Sequence, residues 1–191
     1  MNKDMLFLIF LVAFFTTSVV AVFVFSVDLP RTGISSMAIG FVMDFIDNAG
    51  YVGIFILMVL ESCGIPIPSE IIMPFSGFLV HRGVFNFWVV VLVGSLANLV
   101  GSIIAYLIGL RGRPFLDKYG KYLLIQKHHL EFAERLFEKY GSIIVLIGRN
   151  MPAVRTYISF PAGISKMNFA RFCILTFIGS IPWNILLVYI G

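Results

Sequence analysis

Charged side chains are scarce in this 191-residue chain, at 13% of the sequence, whereas 59% of the residues are hydrophobic. The mean hydropathy of +0.97 leaves too little polar surface to cover a soluble core, so the composition predicts a membrane protein. Two cysteines are too few for a disulfide scaffold, and the hydrophobic content excludes a disordered chain. A net charge of +4 is too small for a charge-dense nucleic-acid binder, so the basic excess is interpreted as a signal of membrane topology.

Three long runs with little or no charge predict membrane-spanning helices. They are Met5 to Val27, Val84 to Leu110, and Phe172 to Ile190. At ~1.5 Å per residue, the first run extends about 34 Å as a helix, which is enough to cross a bilayer. It lacks the clear basic start and the small-residue cleavage site of a secretory signal, so we expect a retained N-terminal transmembrane helix.

Two further apolar stretches, 51–80 and 141–164, are interrupted by proline, glycine and charged residues. Such breaks survive at membrane depth only where the backbone is buried in protein or lines a wet cavity, and they often mark transport sites. We therefore expect two re-entrant helical hairpins, with kinked spans or loops outside the membrane as the alternative. The predicted hairpin breaks are Pro66, Pro68, Gly77, Pro152, Pro161 and Gly163.

The two broken segments resemble each other at an offset of 83 to 88 residues. A spanning run follows each of them, so the order of hairpin and helix recurs and indicates an internal duplication. The matched pairs include Gly53 and Gly141, Glu61 and Arg149, Pro68 and Pro152, Glu70 and Arg155, Gly77 and Gly163, and Asn98 and Asn184.

The distribution of basic residues orients the predicted fold. Segment 111–140 holds seven of them, whereas segment 28–50 holds only Arg31. Because cytoplasmic loops are enriched in Lys and Arg, we expect 111–140 to be a cytoplasmic amphipathic connector and the N-terminus to be cytoplasmic as well. The two repeats then have opposite orientations, and such inverted repeats place their broken segments face to face near the membrane midplane.

The predicted fold class is an all-α polytopic protein of the cell membrane. Its divisions are an N-terminal transmembrane helix with an external amphipathic segment (1–50), a first repeat of hairpin and transmembrane helix (51–110), the connector (111–140) and a second repeat (141–191). No cofactor or metal is expected, since the adjacent His128 and His129 point to different sides of a helix. The oligomeric state is left open, with a homo-oligomer as one alternative.

Four ionisable residues fall inside the broken segments: Glu61, Glu70, Arg149 and Arg155. An unpaired charge at the bilayer centre costs ~2.5 to 3.5 kcal/mol or more, so these four need a compensating role. Two guanidiniums six residues apart suit phosphate, and a carboxyl group removed from water is protonated more readily. We expect Arg149 and Arg155 to bind phosphate and Glu61 and Glu70 to form a proton-responsive gate. The alternative is that the four are simply mutual counter-ions that hold the hairpins together.

Asn98 and Asn184 occupy matching positions in the two predicted spanning helices that follow the hairpins. They are candidates for lining a polar cavity between the repeats. The alternative is a hydrogen bond between the two helices, which is a common use of asparagine inside membranes.

Several longer motifs go beyond isolated residues. They are Glu61-x4-Pro66-x-Pro68-Ser69-Glu70, Lys118-Tyr-Gly120, Lys139-Tyr-Gly141, and Gly148-Arg149-x2-Pro152-x2-Arg155-Thr156-x4-Pro161-Ala-Gly163-x7-Arg171-Phe172. With these motifs, the chain from Gly50 onward resembles the DedA family, also called the SNARE-associated Golgi or VTT-domain superfamily. The resemblance implies two opposed re-entrant hairpins, movement of phospholipids or polyprenyl phosphates between leaflets, and proton coupling. It also implies that Glu61 and Glu70 are the membrane-embedded acids and that Arg149 and Arg155 are the essential arginines.

The expected function is therefore a lipid flippase that moves a lipid phosphate such as undecaprenyl phosphate, or a phospholipid, with the bilayer lipid and protons as partners and no nucleic acid. One alternative is a small-ion or proton exchanger that uses the same charges, and another is a membrane scaffold. A third is a lipid-phosphate phosphatase, which needs nucleophilic and acid–base histidines. Because His81, His128 and His129 all lie outside the broken segments, the chain is not expected to be an enzyme.

Overall fold

The computed structural model describes residues 34–65, 67–119 and 141–191, and these residues form helices without any strand. The all-helical class is thus confirmed for this part of the chain. The predicted helix Met5–Val27, the predicted break at Pro66 and connector residues 120–140 lie outside the described residues. The helices are α1 (Ile34–Ser62), α2 (Ser69–His81), α3 (Phe87–Tyr119), α4 (Ile143–Gly148), α5 (Pro152–Tyr157), α6 (Ser159–Ile164) and α7 (Phe169–Ile190).

Three helical segments are long and apolar enough to cross a membrane: Ile39–Ser62, Phe87–Gly112 and Phe169–Ile190. The second and third overlap the spans predicted from the uncharged runs, and the chain is a membrane protein. The first was not predicted, because Asp44 and Asp47 interrupt the apolar sequence there.

Helix α1 changes direction at Gly50, whose backbone has φ 60° and ψ −137°. Glycine adopts a positive φ readily because it has no Cβ. The predicted division between residues 50 and 51 falls at this kink. Beyond it, a 12-residue arm reaches Ser62, and after a short break the chain continues as α2. With 13 residues, α2 is about 20 Å long, which is too short for a hydrocarbon core of about 30 Å.

The second broken segment is divided into three short helices, α4, α5 and α6, of six residues each. Pro152 lies in the first turn of α5, where its missing N–H is no loss to the helix. Gly77 lies inside α2, and Pro161 and Gly163 lie within the six-residue α6, Gly163 one residue before its end. Of the described breaks, Pro68 caps the start of α2 and Pro152 begins α5.

Gly77 and Gly163 instead allow close packing between helices. A Cβ at Gly77 of α2 would collide with the backbone carbonyl of Val188 in α7. A Cβ at Gly163 of α6 would collide with the carbonyl of Tyr106 in α3. The second part of each broken segment therefore packs against the long helix that follows the other broken segment.

Two apolar clusters accompany this packing, and both lie within the compact unit Val42–Gly191. The larger one joins α1, α2, α3 and α7, and its fully buried members include Met58, Ile72 and Leu187. The smaller one surrounds Phe172, which stacks on Tyr106 with the ring centroids 4.7 Å apart. Burial of these apolar side chains holds the helices together around the polar residues of the candidate site.

Candidate functional site

A small cavity lies among buried polar side chains. Its volume is ≈ 10 Å³, which is room for about one water molecule. Counted over main chain and side chain together, no lining residue is more than 6% exposed. The lining residues are Glu61, Ser62, Asn98, Arg149, Arg155 and Ser180.

The charged residues of the cavity come from the places where the helices are broken. Glu61 lies in the last turn of α1, Arg149 is the C-terminal cap of α4, and Arg155 lies in the six-residue α5. Asn98 and Ser180 come instead from the continuous helices α3 and α7. The structure therefore brings three of the four predicted ionisable residues together.

Arg155 and Glu61 form a buried ion pair. Arg155 Nη2 lies 2.8 Å from Glu61 Oε1, and the two side chains are 5% and 8% exposed. Thr156 Oγ1 donates a second hydrogen bond of 3.0 Å to the same carboxylate oxygen. Arg155 Nη2 also donates to Ser69 Oγ, and its guanidinium carbon lies 5.7 Å from the ring centroid of Trp183. Removal of either residue would leave the other as a buried charge without its counter-ion, so loss of one is expected to destabilise the protein strongly.

Arg149 has different partners. Its Nη1 donates to the backbone carbonyl of Arg155 at 3.0 Å, and its Nη2 donates to Ser159 Oγ at 2.7 Å and to Thr176 Oγ1 at 3.5 Å. All three acceptors are neutral, and no carboxylate of the described residues lies within ion-pair distance of Arg149. Two guanidiniums thus face one carboxylate, which leaves the cavity with one excess positive charge when all three groups are ionised.

The Nε atoms of Arg149 and Arg155 add to this imbalance. Both are buried and have no hydrogen-bond partner among the described residues. Buried donors of this kind are rare in folded proteins and call for an explanation. Excess positive charge together with spare N–H donors suits an anionic ligand that carries several acceptor oxygens.

Asn98 and Asn184 meet across the two long helices. Asn98 Nδ2 lies 3.5 Å from Asn184 Oδ1, at the outer limit of a hydrogen bond, and Asn184 Nδ2 donates to Ser95 Oγ at 3.0 Å. Ser62 Oγ approaches both Asn98 Oδ1, at 2.8 Å, and Glu61 Oε2, at 3.2 Å. Asn98 lines the cavity, whereas Asn184 lies directly behind it and is completely buried.

Glu70 does not line the cavity. It lies in the first turn of α2, is partly buried, and accepts a hydrogen bond of 3.3 Å from Ser69 Oγ. Since Ser69 also accepts from Arg155, a single hydroxyl separates Glu70 from the buried arginine.

The hydroxyl groups around the arginines were not predicted as site residues. Serine and threonine are common in apolar helices, so each one alone carries little information. Their spacing is more informative, because residues three and four apart share one face of a helix. The two polar faces are Ser95, Asn98 and Ser102 on α3, and Thr176, Ser180 and Asn184 on α7.

The fold and the site define a helical membrane protein with an arginine–glutamate pair buried beside a polar cavity. The VTT domain profile matches residues 67–191, about two thirds of the chain. The chain belongs to the VTT-domain family, and the resemblance to DedA proteins noted from the motifs is confirmed. No solved structure matches the chain.

Named relatives cover most of the chain. It is 44% identical over 151 residues to undecaprenyl phosphate transporter A of Bacillus subtilis, covering 78% of this chain and 74% of that protein. It is 33% identical over 155 residues to undecaprenyl phosphate transporter A of Staphylococcus aureus, covering 78% and 76%. It is also 32% identical over 156 residues to an alkaline phosphatase-like protein of Lactococcus lactis, covering 78% and 73%.

Proposed function

We propose that this protein is a lipid transporter that moves a lipid phosphate, such as undecaprenyl phosphate, or a phospholipid between the two leaflets of the membrane. The observation that carries the proposal is the buried cavity in which Arg149 and Arg155 face the single carboxylate of Glu61. Guanidinium groups match the geometry of phosphate oxygens, and a buried site strengthens their attraction for an anion. The names of the two transporter relatives agree with a phosphate-bearing lipid as the cargo.

The architecture proposed for this function is an inverted repeat of two re-entrant hairpins in the plasma membrane, with the N-terminus in the cytoplasm. Two observations support it: α2 is too short to cross a bilayer, and the second broken segment is divided into three short helices. The reciprocal contacts of Gly77 with α7 and of Gly163 with α3 are those expected of two halves related by approximate twofold symmetry. The divisions 1–50, 51–110, 111–140 and 141–191 belong to this architecture.

Transport requires the site to open. The cavity has room for about one water molecule, so a phosphate group enters only when the surrounding side chains separate. The Glu61–Arg155 ion pair is the one contact between opposite charges described at the cavity, and it must break. Protonation of Glu61 removes this attraction and frees Arg155 for phosphate, so a proton gradient favours one direction of transport.

The lipid tail does not need to enter the cavity. Helix α3 exposes an apolar ridge at every fourth residue, and a tail lying along such a ridge stays in a hydrocarbon environment while only the head group enters the protein. The ridge residues are Leu92, Leu96, Val100, Ile104 and Ile108.

A reconstituted translocation assay tests the proposal. Purified protein is incorporated into vesicles that contain undecaprenyl phosphate in the inner leaflet, and its appearance in the outer leaflet is measured with an added phosphatase. We expect Arg155→Ala and Arg149→Ala to abolish the transfer. Arg82→Ala is the matched control, because it removes an exposed positive charge that lies over the Phe78 ring and does not line the cavity, and so leaves the transfer unchanged. Full transfer by both cavity variants would reject the phosphate site.

The same vesicles separate the transporter from its alternatives. The phosphatase-like name of the Lactococcus relative makes phosphate release worth measuring. Release of inorganic phosphate by the protein before any phosphatase is added would favour a lipid-phosphate phosphatase. Ion flux without movement of the lipid would favour an exchanger. Lipid movement without release of inorganic phosphate is the expected result.

A further inference from the structure

The cavity of the candidate site is lined by more positive than negative charge. Arg149 and Arg155 both line it, and Glu61 supplies the only carboxylate among the described lining residues. Glu61 pairs with Arg155, whereas every described acceptor of Arg149 is a neutral oxygen. A buried charge without compensation is strongly destabilising, so the closed site favours a further anion. We propose that the cavity is a halide site, with chloride as the counter-ion of the closed state.

The hydrogen-bonding groups of the two arginines fit a halide better than they fit water. A guanidinium group has only donors, and the buried Nε atoms of Arg149 and Arg155 have no acceptor among the described residues. A halide accepts hydrogen bonds from every direction and brings no donor that needs a partner. It also supplies the missing negative charge, which a water molecule does not.

The size of the cavity limits which anion the closed state can hold. Its volume is ≈ 10 Å³, room for about one water molecule. A chloride ion is only slightly larger than a water molecule and has no shape that must be matched, so a small adjustment of the flexible arginine side chains accommodates it. A phosphate or carboxylate group is larger and requires the side chains to separate. The closed state therefore binds a halide and excludes a lipid head group.

The halide gives the closed state a role in the proposed transport. This role rests on the proposed function, whereas the halide site itself rests on the cavity alone. With Arg149, Arg155 and Glu61 ionised, one chloride ion makes the site neutral. A lipid phosphate with one negative charge takes the place of chloride without changing that balance. Chloride and the lipid phosphate therefore compete for the same arginines, and chloride compensates Arg149 while no lipid is bound.

Asn98 allows the counter-ion to be supplied by the protein itself. It lines the cavity, and its Oδ1 lies 2.8 Å from Ser62 Oγ. Its Nδ2 contact with Asn184 Oδ1 is 3.5 Å long, at the outer limit of a hydrogen bond. Aspartate has the shape of asparagine, so Asn98→Asp adds a fixed negative charge to the cavity with little change in volume. Glu61→Gln acts in the opposite direction, because it removes the carboxylate and leaves two positive charges.

The experiment measures chloride binding by the full chain in detergent, without lipid. Thermal unfolding is followed as sodium chloride replaces sodium gluconate at constant ionic strength, since gluconate is too large for the cavity. We expect the midpoint of unfolding to rise by about 3 to 6 °C for each tenfold increase in chloride above its dissociation constant. Bromide is expected to act in the same way. A midpoint that does not respond to either halide would overturn the proposal and leave the cavity as a site for a water molecule only.

The two charge variants separate a halide site from a general effect of salt. Titration calorimetry with sodium chloride measures the dissociation constant of each. We expect Asn98→Asp to lose the response to chloride, and Glu61→Gln to bind chloride about tenfold more tightly or better, because the nearby like charge is gone. Arg82→Ala removes an exposed charge outside the cavity and is expected to bind chloride as the unmodified protein does. Equal affinities in all of these proteins would contradict the site. If Asn98→Asp does not fold, unchanged or weaker binding by Glu61→Gln contradicts it instead.

Lipid measurements test the exchange separately from the halide site. Dodecyl phosphate is expected to weaken the apparent affinity for chloride, and translocation of undecaprenyl phosphate is measured in parallel. Chloride binding that dodecyl phosphate does not weaken supports the halide site and rejects the exchange. Chloride binding without any lipid translocation supports the halide site and rejects the proposed function. Normal translocation by a protein that does not respond to chloride rejects the halide site alone.

Discussion

Arg149 Nη1 donates a hydrogen bond of 3.0 Å to the backbone carbonyl of Arg155, so one buried arginine holds the backbone that carries the other. The side chain of Arg155 points to Glu61 and Ser69, whereas Arg149 joins the end of α4 to α5, to Ser159 in α6 and to α7. The two arginines of the motif therefore have different structural tasks. Arg155 has the charged partner, which the proposed transport exchanges for a phosphate, and Arg149 orders the broken segment around it.

Replacing each arginine by lysine separates these tasks. Lysine keeps the charge but concentrates its donors on one nitrogen, so Arg149→Lys loses at least one of three hydrogen bonds that leave in different directions. We expect a loss of about 1 to 3 kcal/mol in stability for each buried partner left unsatisfied. Arg155→Lys retains an ion pair with Glu61 and should destabilise the protein less. Thermal unfolding in detergent measures both, with Arg82→Lys as the exposed control, and equal midpoints for the two cavity variants would contradict the distinction.

The ion pair itself is tested by a double-mutant cycle. Glu61→Ala leaves Arg155 buried without its counter-ion, which is expected to cost about 3 to 5 kcal/mol of stability. The double variant Glu61→Ala, Arg155→Ala removes both charges and should recover part of that loss, so the two effects are not additive. Chemical unfolding of the single and double variants measures the coupling. Simple additivity of the two losses would show that the residues do not interact across the cavity.

The close helix contacts give a prediction about the proposed repeat. In Gly77→Ala and in Gly163→Ala, the added methyl group collides with a backbone carbonyl of a neighbouring helix and not with a flexible side chain. Overpacking of this kind typically costs about 1 to 3 kcal/mol, and the twofold arrangement predicts similar losses at both positions. Gly40→Ala is the matched control, since a Cβ at that helical position meets no atom of the described residues within 4 Å. Thermal unfolding that shows no loss at either glycine would contradict the reciprocal packing.

Much of the site could be predicted from the sequence because charges are costly in apolar segments. Glu61, Arg149 and Arg155 stand out for this reason, and the structure brings them together. Glu70 satisfies the same criterion yet lies outside the cavity. Successive helical residues point about 100° apart, so α2 directs Ser69 toward Arg155 while the adjacent Glu70 does not line the cavity. A pattern of residue types does not reveal which of two neighbours faces inward.

The fold was predicted where apolar runs are continuous and missed where they are interrupted. Helices α3 and α7 contain long runs with little or no charge and were expected as spans. The segment Ile39–Ser62 was not expected to span the membrane, because two aspartates lie within it. Its kink at Gly50 also coincides with the predicted division between residues 50 and 51. Gly77 was predicted as a hairpin break because glycine relaxes the chain, whereas here it stays helical and permits close packing. Local sequence does not distinguish these two uses of glycine.

Trp183 provides a direct optical test of whether a ligand draws Arg155 away from its partners. The chain has two tryptophans; Trp88 is 68% exposed, whereas Trp183 is 3% exposed and lies beneath the Arg155 guanidinium. In the Trp88→Phe variant, emission therefore reports on the buried ring alone. A cation above an indole ring stabilises it electrostatically and alters its environment, so removal of the guanidinium changes the emission.

We expect dodecyl phosphate to change the fluorescence of Trp88→Phe in a saturable manner, while uncharged dodecanol at the same concentration has no effect. Adding Arg155→Ala to the variant should abolish the response, because the ring then has no guanidinium to lose. Adding Arg82→Ala should leave it intact, since that charge lies over Phe78 instead. A response that persists without Arg155 would mean that the phosphate binds elsewhere. The proposal that a phosphate ligand replaces Glu61 as the partner of Arg155 would then be rejected.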